Sequence, residues 1–130
     1  MIIYFDTSAL AKLIVIEKET AALRAWIGSR PNHAGVTNSV GAVELQRFAA
    51  RVSHPAMAAA TQLLARLDQL ELTPLAISRA AQLPPPEVRT LDALHIASAS
   101  ELADLEALVT YDERMRAAAI GCGLPVANPS

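Results

Sequence analysis

The feature of this sequence that most limits its possible folds is the alternation of short apolar runs with longer segments of helical periodicity. The first run, MIIYF at residues 1–5, is followed by residues 8–17, which carry apolar side chains at helical spacing. The runs at 33–38 and 106–112 are followed by helical segments in the same way. Strands joined through helices pair in parallel. The alternation therefore predicts an α/β fold of three layers, with helices on both faces of a central parallel sheet of four to five strands.

The other elements follow from local signals for helix ends and turns. Thr7 or Ser8 is expected to cap the first helix, and Asn38 or Ser39 the helix after the second strand. Three successive prolines make residues 83–90 a rigid loop. Helices are predicted over residues 17–30, 39–52, 55–70, 76–83, 90–103 and 113–121, and further strands over 70–75 and 124–128.

Length and composition are those of one compact globular domain over residues 1–130. The chain is 52% hydrophobic and 18% charged, and its formal net charge is -2. That charge gives no basic field, so contact with a nucleic acid has to rely on local groups of lysine and arginine. Cys122 is the only cysteine, which excludes an intrachain disulfide and a thiolate metal cluster. No uncharged apolar stretch reaches membrane-spanning length, and we expect a cytoplasmic protein without membrane contact.

Four acidic residues stand at predicted strand ends or helix starts. Asp6 follows the first strand, and Asp112 ends the strand at 106–112. Glu44 lies in the helix after the second strand, and Asp92 lies in the first turn of a later helix. In parallel α/β sheets, ligands bind beyond the carboxyl ends of the strands, where the connections change direction. If the strands of Asp6 and Asp112 are neighbours, these carboxylates lie side by side at that edge.

Each acid also has a purely structural explanation. Asp6 and Asp112 are each in position to cap the helix that follows. Asp92 would complement the positive end of its helix dipole, and Glu44 would pair with Arg47 on the helix surface. No acid taken alone decides between a structural and a functional role.

The four acids taken together favour a shared site for a divalent cation. Carboxylates brought together in an apolar setting cannot all ionise unless a cation offsets them, and Mg²⁺ and Mn²⁺ prefer oxygen ligands. Thr7, Ser39 and Thr110 add hydroxyl groups nearby in the sequence. Such a cluster is typical of metal-assisted phosphoryl chemistry, in which a cation activates water and a second can stabilise the leaving oxygen.

The sequence motifs around the four acids resemble those of a known family. The stretches YFDTSAL, SVGAVELQR, LDALHIASA and VTYDERM are similar, in this order, to the four acidic motifs of PIN-domain ribonucleases, in particular VapC toxins of bacterial toxin–antitoxin pairs. The resemblance implies a Mg²⁺- or Mn²⁺-dependent endoribonuclease, often directed at tRNA or rRNA. It also implies a homodimer that a VapB-like antitoxin holds inactive. Asp6, Glu44, Asp92 and Asp112 fall on the catalytic and metal-binding positions of the family.

Residues next to these acids match the family pattern less evenly. Thr7 and Ser8 match the polar pair after the first acid, and Thr110 matches the hydroxyl before the last. Some relatives carry an extra acid or asparagine beyond the fourth motif, where this chain has Glu113 and Arg114. A complete second metal site is therefore left open.

Basic residues near the motifs are candidates for contacts with RNA phosphates, although each also fits a solvated helix surface. His95, one turn after Asp92, is interpreted as a structural residue near the site. The basic candidates are Lys12, Arg47, Arg89, Arg114 and Arg116.

Two other classes of function fit the sequence less well than a nuclease. A catalytically silent PIN-like module would bind RNA or a protein through the same fold, but the four intact acids argue against it. A receiver needs a second acid after the first strand, and a haloacid-dehalogenase-like phosphatase needs Asp-x-Asp where this chain has Asp6, Thr7 and Ser8.

Overall fold

The centre of the molecule is a five-stranded sheet in which every neighbouring pair of strands is parallel. A computed structural model describes residues 1–130. The spatial order of the strands is β3-β2-β1-β4-β5, which confirms the predicted parallel sheet at the upper end of the expected strand number. The strands are β1 (Ile2–Phe5), β2 (Ala34–Asn38), β3 (Asp68–Leu70), β4 (Leu105–Val109) and β5 (Val126–Ala127).

Seven helices connect and flank these strands. Helix α3 has the predicted bounds, and α7 both begins and ends where the sequence indicates. The helices are α1 (Thr7–Ile14), α2 (Thr20–Gly28), α3 (Ser39–Val52), α4 (His54–Ala65), α5 (Pro74–Ala81), α6 (Thr90–Ser100) and α7 (Glu113–Gly121).

The sheet separates two hydrophobic cores, because successive side chains of a strand point to opposite faces. Ile3 and Phe5 of β1 join a core formed largely by α1 to α4. Tyr4, between them, packs with Ile96 of α6 and Met115 of α7 in the other core. The three predicted layers are thus confirmed, with β1 buried between them.

Several element bounds differ from the prediction. β4 ends at Val109 rather than at residue 112, and β3 occupies Asp68–Leu70 rather than 70–75. β3 begins early because Asp68 pairs with Val36 of β2, and this register depends on the neighbouring strand. Neither Thr7 nor Ser8 caps the first helix. The alternative cap, Asp6, is confirmed, since its backbone is extended and its side chain accepts from the Ala9 N–H.

The sheet order places the ends of β1 and β4 together. Phe5 of β1 is in register with Val109 of β4. The chain leaves β1 towards β2 on one side, whereas β4 and β5 lie on the other side, so the order changes direction between β1 and β4. This is the switch point at which a ligand site is expected. No helix combines the length and the apolar character that crossing a membrane requires.

Candidate active site

A small polar cavity of about 150 Å³ lies at this switch point. The end of β1 and the start of α1 contribute three residues to it, α3 one, the start of α6 and the residue before it three, and the N-cap of α7 one. All four predicted acids are among them. We call this the acidic cavity, and its lining is Asp6, Thr7, Ser8, Glu44, Arg89, Asp92, His95 and Asp112.

Asp6 caps α1 and also lines the acidic cavity, so its structural and functional explanations do not exclude each other. Its Oδ1 accepts from the Ala9 N–H at 2.9 Å and from the Ser8 hydroxyl at 2.7 Å. Its Oδ2 accepts from the Thr110 hydroxyl at 2.6 Å. Asp6 is only 3% exposed, and burial raises the pKa of its carboxyl although these hydrogen bonds oppose the change.

Glu44 is held by a chain of hydrogen bonds that reaches into the core. Its Oε1 lies 2.6 Å from Thr7 Oγ1 and 2.8 Å from His95 Nε2. Burial alone would raise the pKa of Glu44, but the bonds from His95 and Thr7 leave it below its ordinary value. The alternative pairing of Glu44 with Arg47 is not formed. The other oxygen of this carboxylate, Oε2, has no protein partner and is free to bind a ligand.

His95 is only 2% exposed and uses both ring nitrogens. Its Nδ1 lies 2.7 Å from the hydroxyl of Tyr4, which is fully buried. Burial raises the pKa of Tyr4 well above its ordinary value, so the phenol keeps its proton and its O–H donates a hydrogen bond to Nδ1. Since Nδ1 accepts from Tyr4, we assign an N–H to Nε2, which donates to Glu44 Oε1.

Asp92 and Asp112 are joined by one guanidinium group. Arg89 Nε lies 3.1 Å from Asp92 Oδ2, and Arg89 Nη2 lies 3.0 Å from Asp112 Oδ2. These two carboxylates raise the pKa of Arg89 further. Asp112 Oδ1 accepts from the Arg114 and Met115 N–H groups and caps α7. Asp112 thus gives one oxygen to its helix and the other to the cavity.

The donor set of the acidic cavity fits a hard divalent cation. Its acceptor groups are carboxylates and hydroxyls, the oxygen ligands that Mg²⁺ and Mn²⁺ prefer. The Arg89 guanidinium contacts two of the carboxylates and offsets part of their negative charge. No three acidic, His or Cys side chains converge on one point in their present rotamers. Since the Arg89 side chain is 65% exposed, it can leave when a stronger cation binds.

The other predicted site residues lie at different distances from the cavity. Thr110 supports it through the bond to Asp6, and Ser39 donates instead to the Leu70 carbonyl. Arg114 lines a neighbouring groove. Lys12 is outside the cavity, where its ammonium group lies 2.7 Å from Glu19. Six helical residues rotate a side chain by about 600°, which turns Lys12 away from Asp6.

Sequence reasoning missed two contacts that shape the site. Arg89 was expected to contact phosphate at the rim, whereas it bridges two of the acids. His95 was expected to be a structural residue hydrogen-bonded near the site, but Glu44 was not identified as its partner. One local signal was available for His95, because it follows Asp92 by three positions and so shares its helix face.

Comparison with known proteins shows the family of this chain. The model of the PIN domain family matches residues 3–121. Ribonuclease VapC35 of Mycobacterium tuberculosis is 43% identical over 130 residues, which cover 98% of this chain and 96% of that protein. Ribonuclease VapC46 of the same species is 41% identical, with 98% of each chain covered. The chain belongs to the VapC family of PIN-domain proteins.

Solved structures share the fold of this VapC-family chain at lower sequence identity. The VapBC2 structure from Rickettsia felis, bound to a DNA fragment from its promoter, superposes with a TM-score of 0.78 at 15% identity and covers both chains completely. Mycobacterium tuberculosis VapC20, described as a sarcin-ricin loop cleaving toxin, superposes with a TM-score of 0.76 at 19% identity over 98% of this chain and 99% of that one. At these identities the likeness supports the PIN fold alone.

Proposed function

We propose that this protein is a metal-dependent endoribonuclease toxin that hydrolyses phosphodiester bonds of tRNA or rRNA. Asp6, Glu44, Asp92 and Asp112 are its catalytic acids and hold Mg²⁺, for which Mn²⁺ can substitute. The observation that carries the proposal is that these four acids all line one cavity at the switch point of a VapC-family chain.

The residues of the chain have separate tasks in this proposal. A bound divalent ion supplies Lewis-acid activation of water and neutralises charge on the phosphate. Thr7 and His95 fix Oε1 of Glu44 and leave its other oxygen for the ion. Asp92 and Asp112 offer the oxygens that Arg89 now covers. Once displaced, the Arg89 guanidinium is beside the cavity and can bind a phosphate oxygen of the substrate.

The proposed partners follow from the same family membership. A VapB-like antitoxin would neutralise the enzyme, and two copies would form a homodimer. Growth arrest on expression, relieved by co-expression of a small adjacent gene, would support the antitoxin. Light scattering of the purified protein measures the number of copies in solution.

The decisive experiment compares the wild type with two amide variants in Mg²⁺, Mn²⁺ and EDTA. Asp92→Asn keeps the shape and one oxygen of the side chain but removes the charge that holds the ion. Asp104→Asn is the matched control, because Asp104 is exposed and its side chain makes no hydrogen bond. We expect the wild type and Asp104→Asn to cut tRNA or rRNA only with a divalent ion, and Asp92→Asn to be inactive while still folded.

Two results would contradict this proposal. Undiminished cleavage in excess EDTA would rule out metal dependence. A correctly folded wild type that binds RNA but cuts none of it with either ion would favour the silent PIN-like module instead.

A further inference from the structure

The acidic cavity lies between two larger grooves and shares lining residues with each. The α3 groove, of about 590 Å³, runs along α3 and shares Thr7 and Glu44 with the cavity. The α7 groove, of about 660 Å³, lies between the 84–89 loop and α7 and shares Arg89 and Asp92 with the cavity. The three spaces therefore adjoin one another, with the four acids in the middle.

Both grooves are lined by arginines whose side chains make no hydrogen bond or ion pair. Arg47 and Arg51 line the α3 groove and are one turn apart on the same face of α3. Arg114 lines the α7 groove. All three are exposed, and none of their side chains makes a hydrogen bond or an ion pair. Lys12, by contrast, is tied to glutamates. The free guanidinium groups thus flank the acidic cavity on both sides.

We propose that an RNA strand lies along the three spaces, with phosphates held by Arg47 and Arg51 on one side and by Arg114 on the other. This inference rests on the proposed function and specifies how its substrate is bound. Guanidinium groups bind phosphate oxygens in pairs of hydrogen bonds, and such contacts supply most of the affinity of a protein for RNA. The phosphate between the two sides then lies over the four acids.

The charge of the lining makes this binding depend on a cation. Four arginines face five carboxylates along the three spaces, the fifth carboxylate being Glu87 in the α7 groove. Without a metal, the acidic centre repels the phosphate that has to lie there. A divalent ion offsets part of the negative charge of the centre and weakens this repulsion, so RNA affinity is expected to fall when the ion is removed.

A protein partner is the competing occupant of the α3 groove. Val43 and Leu91 line it and are 56% and 46% exposed, as an interface would require. RNA is favoured because arginines flank the acidic cavity on both sides, whereas these apolar residues line only one side. The test below separates the two occupants.

The test uses Arg47→Ala/Arg51→Ala and Arg114→Ala, with Arg79→Ala as the matched control. Arg79 is exposed and lies outside all three spaces.

Initial rates with Mn²⁺ give kcat and KM on a short labelled RNA, and fluorescence anisotropy in Ca²⁺ or EDTA gives the affinity of the protein for the same RNA. For the double variant we expect KM to rise about tenfold with kcat within about twofold, and the slope of log affinity against log salt to fall by about 1.4. Arg114→Ala should raise KM and lower the salt slope by smaller amounts, and Arg79→Ala should match the wild type in both quantities.

The outcomes separate this inference from the proposed function. If the wild type cuts RNA but the double variant keeps its KM and salt slope, the RNA path is wrong and the enzyme assignment stands. If the wild type cuts nothing but its RNA affinity needs these arginines, the path stands and the enzyme assignment fails. If the double variant changes only the number of copies seen by light scattering, the α3 groove is a protein interface and the inference is overturned.

Discussion

At the scale of single residues, Asp6 shows how one carboxylate serves a helix and a cavity together. Three donors hold it, which keeps α1 capped at the end of β1. Its burial nevertheless raises the pKa of the carboxyl. The folded protein therefore binds a proton at Asp6 at pH values where the unfolded chain, with a pKa of about 3.9, has released it. The contribution of Asp6 to the free energy of unfolding is therefore fully present below that value. It is lost as pH rises through the pKa of the folded state.

Replacement of Asp6 by Asn should remove this pH dependence. Asn caps helices about as well as Asp and carries no charge to bury. In EDTA, the melting temperature of Asp6→Asn should increase relative to that of the wild type as pH rises from about 5 to about 7.5. Thermal melts across this range measure the difference, with Asp104→Asn as the exposed control. If the melting temperature of the wild type instead increases relative to that of Asp6→Asn with rising pH, the hydrogen bonds to Asp6 affect its pKa more strongly than burial does.

His95 provides a second prediction at the same scale. His95→Leu leaves the Tyr4 hydroxyl and Glu44 without their buried partner, at a cost of about 1–3 kcal/mol for each unsatisfied group. In His95→Gln, the side-chain amide can still donate towards Glu44. We expect His95→Leu to lower kcat with little change in KM for RNA, and His95→Gln to recover part of the loss.

Urea unfolding and the Mn²⁺ affinity of both variants accompany these rates. If His95 only fills the core, the two variants should differ in stability but share the wild-type kcat and Mn²⁺ affinity. A loss of kcat that His95→Gln restores supports its role in positioning Glu44.

At the scale of secondary-structure elements, the position of Glu44 depends on how closely α3 approaches α6 and β2. Gly41 of α3 allows this approach. A Cβ atom at residue 41 would clash with Thr37 Oγ1 and would lie 3.1 Å from His95 Cε1. A methyl group there would push α3, and Glu44 with it, away from the acidic cavity.

Gly41→Ala should therefore destabilise the protein in spite of the better helix propensity of alanine. Propensity alone favours Ala by about 1 kcal/mol, but overpacking a close contact costs about 1–3 kcal/mol. Gly28→Ala, in α2, is the matched control because a Cβ there meets nothing within 4 Å. Urea unfolding should show a loss for Gly41→Ala and a neutral or stabilising effect for Gly28→Ala. Equal stability of the two variants would show that α3 can shift without cost.

At the scale of the whole molecule, the sheet order brings together acids that are far apart in the sequence. Asp6 and Thr110, which are 104 residues apart, share a hydrogen bond of 2.6 Å because β1 and β4 are neighbours. The negative charges gathered in this way repel one another when no cation is bound. The metal-free fold therefore carries a local cost that a cation can relieve.

Mn²⁺ should accordingly raise the melting temperature of the wild type by several degrees. An ion that binds only the folded state stabilises it by about 2.7 kcal/mol at a hundred times its dissociation constant. Asp92→Ala should show a much smaller shift, because it lacks an oxygen donor. Arg89→Ala should show a larger shift, because the guanidinium no longer competes for Asp92 and Asp112. Melting curves in EDTA and in millimolar Mn²⁺ test this, and an equal shift in all three proteins would mean that the ion binds elsewhere.

The sequence by itself determined the alternation of strands and helices, the bounds of α3, and the four acids of the candidate site. These signals act between near neighbours along the chain, through the spacing of apolar residues and through caps such as Asn38. The tertiary structure decided which strands are adjacent, where β3 begins, and which side chains meet. Arg89 reaches Asp112 across 23 residues, and His95 reaches Glu44 across 51. Such contacts depend on strand pairing and helix packing over the whole chain, and no local pattern encodes them.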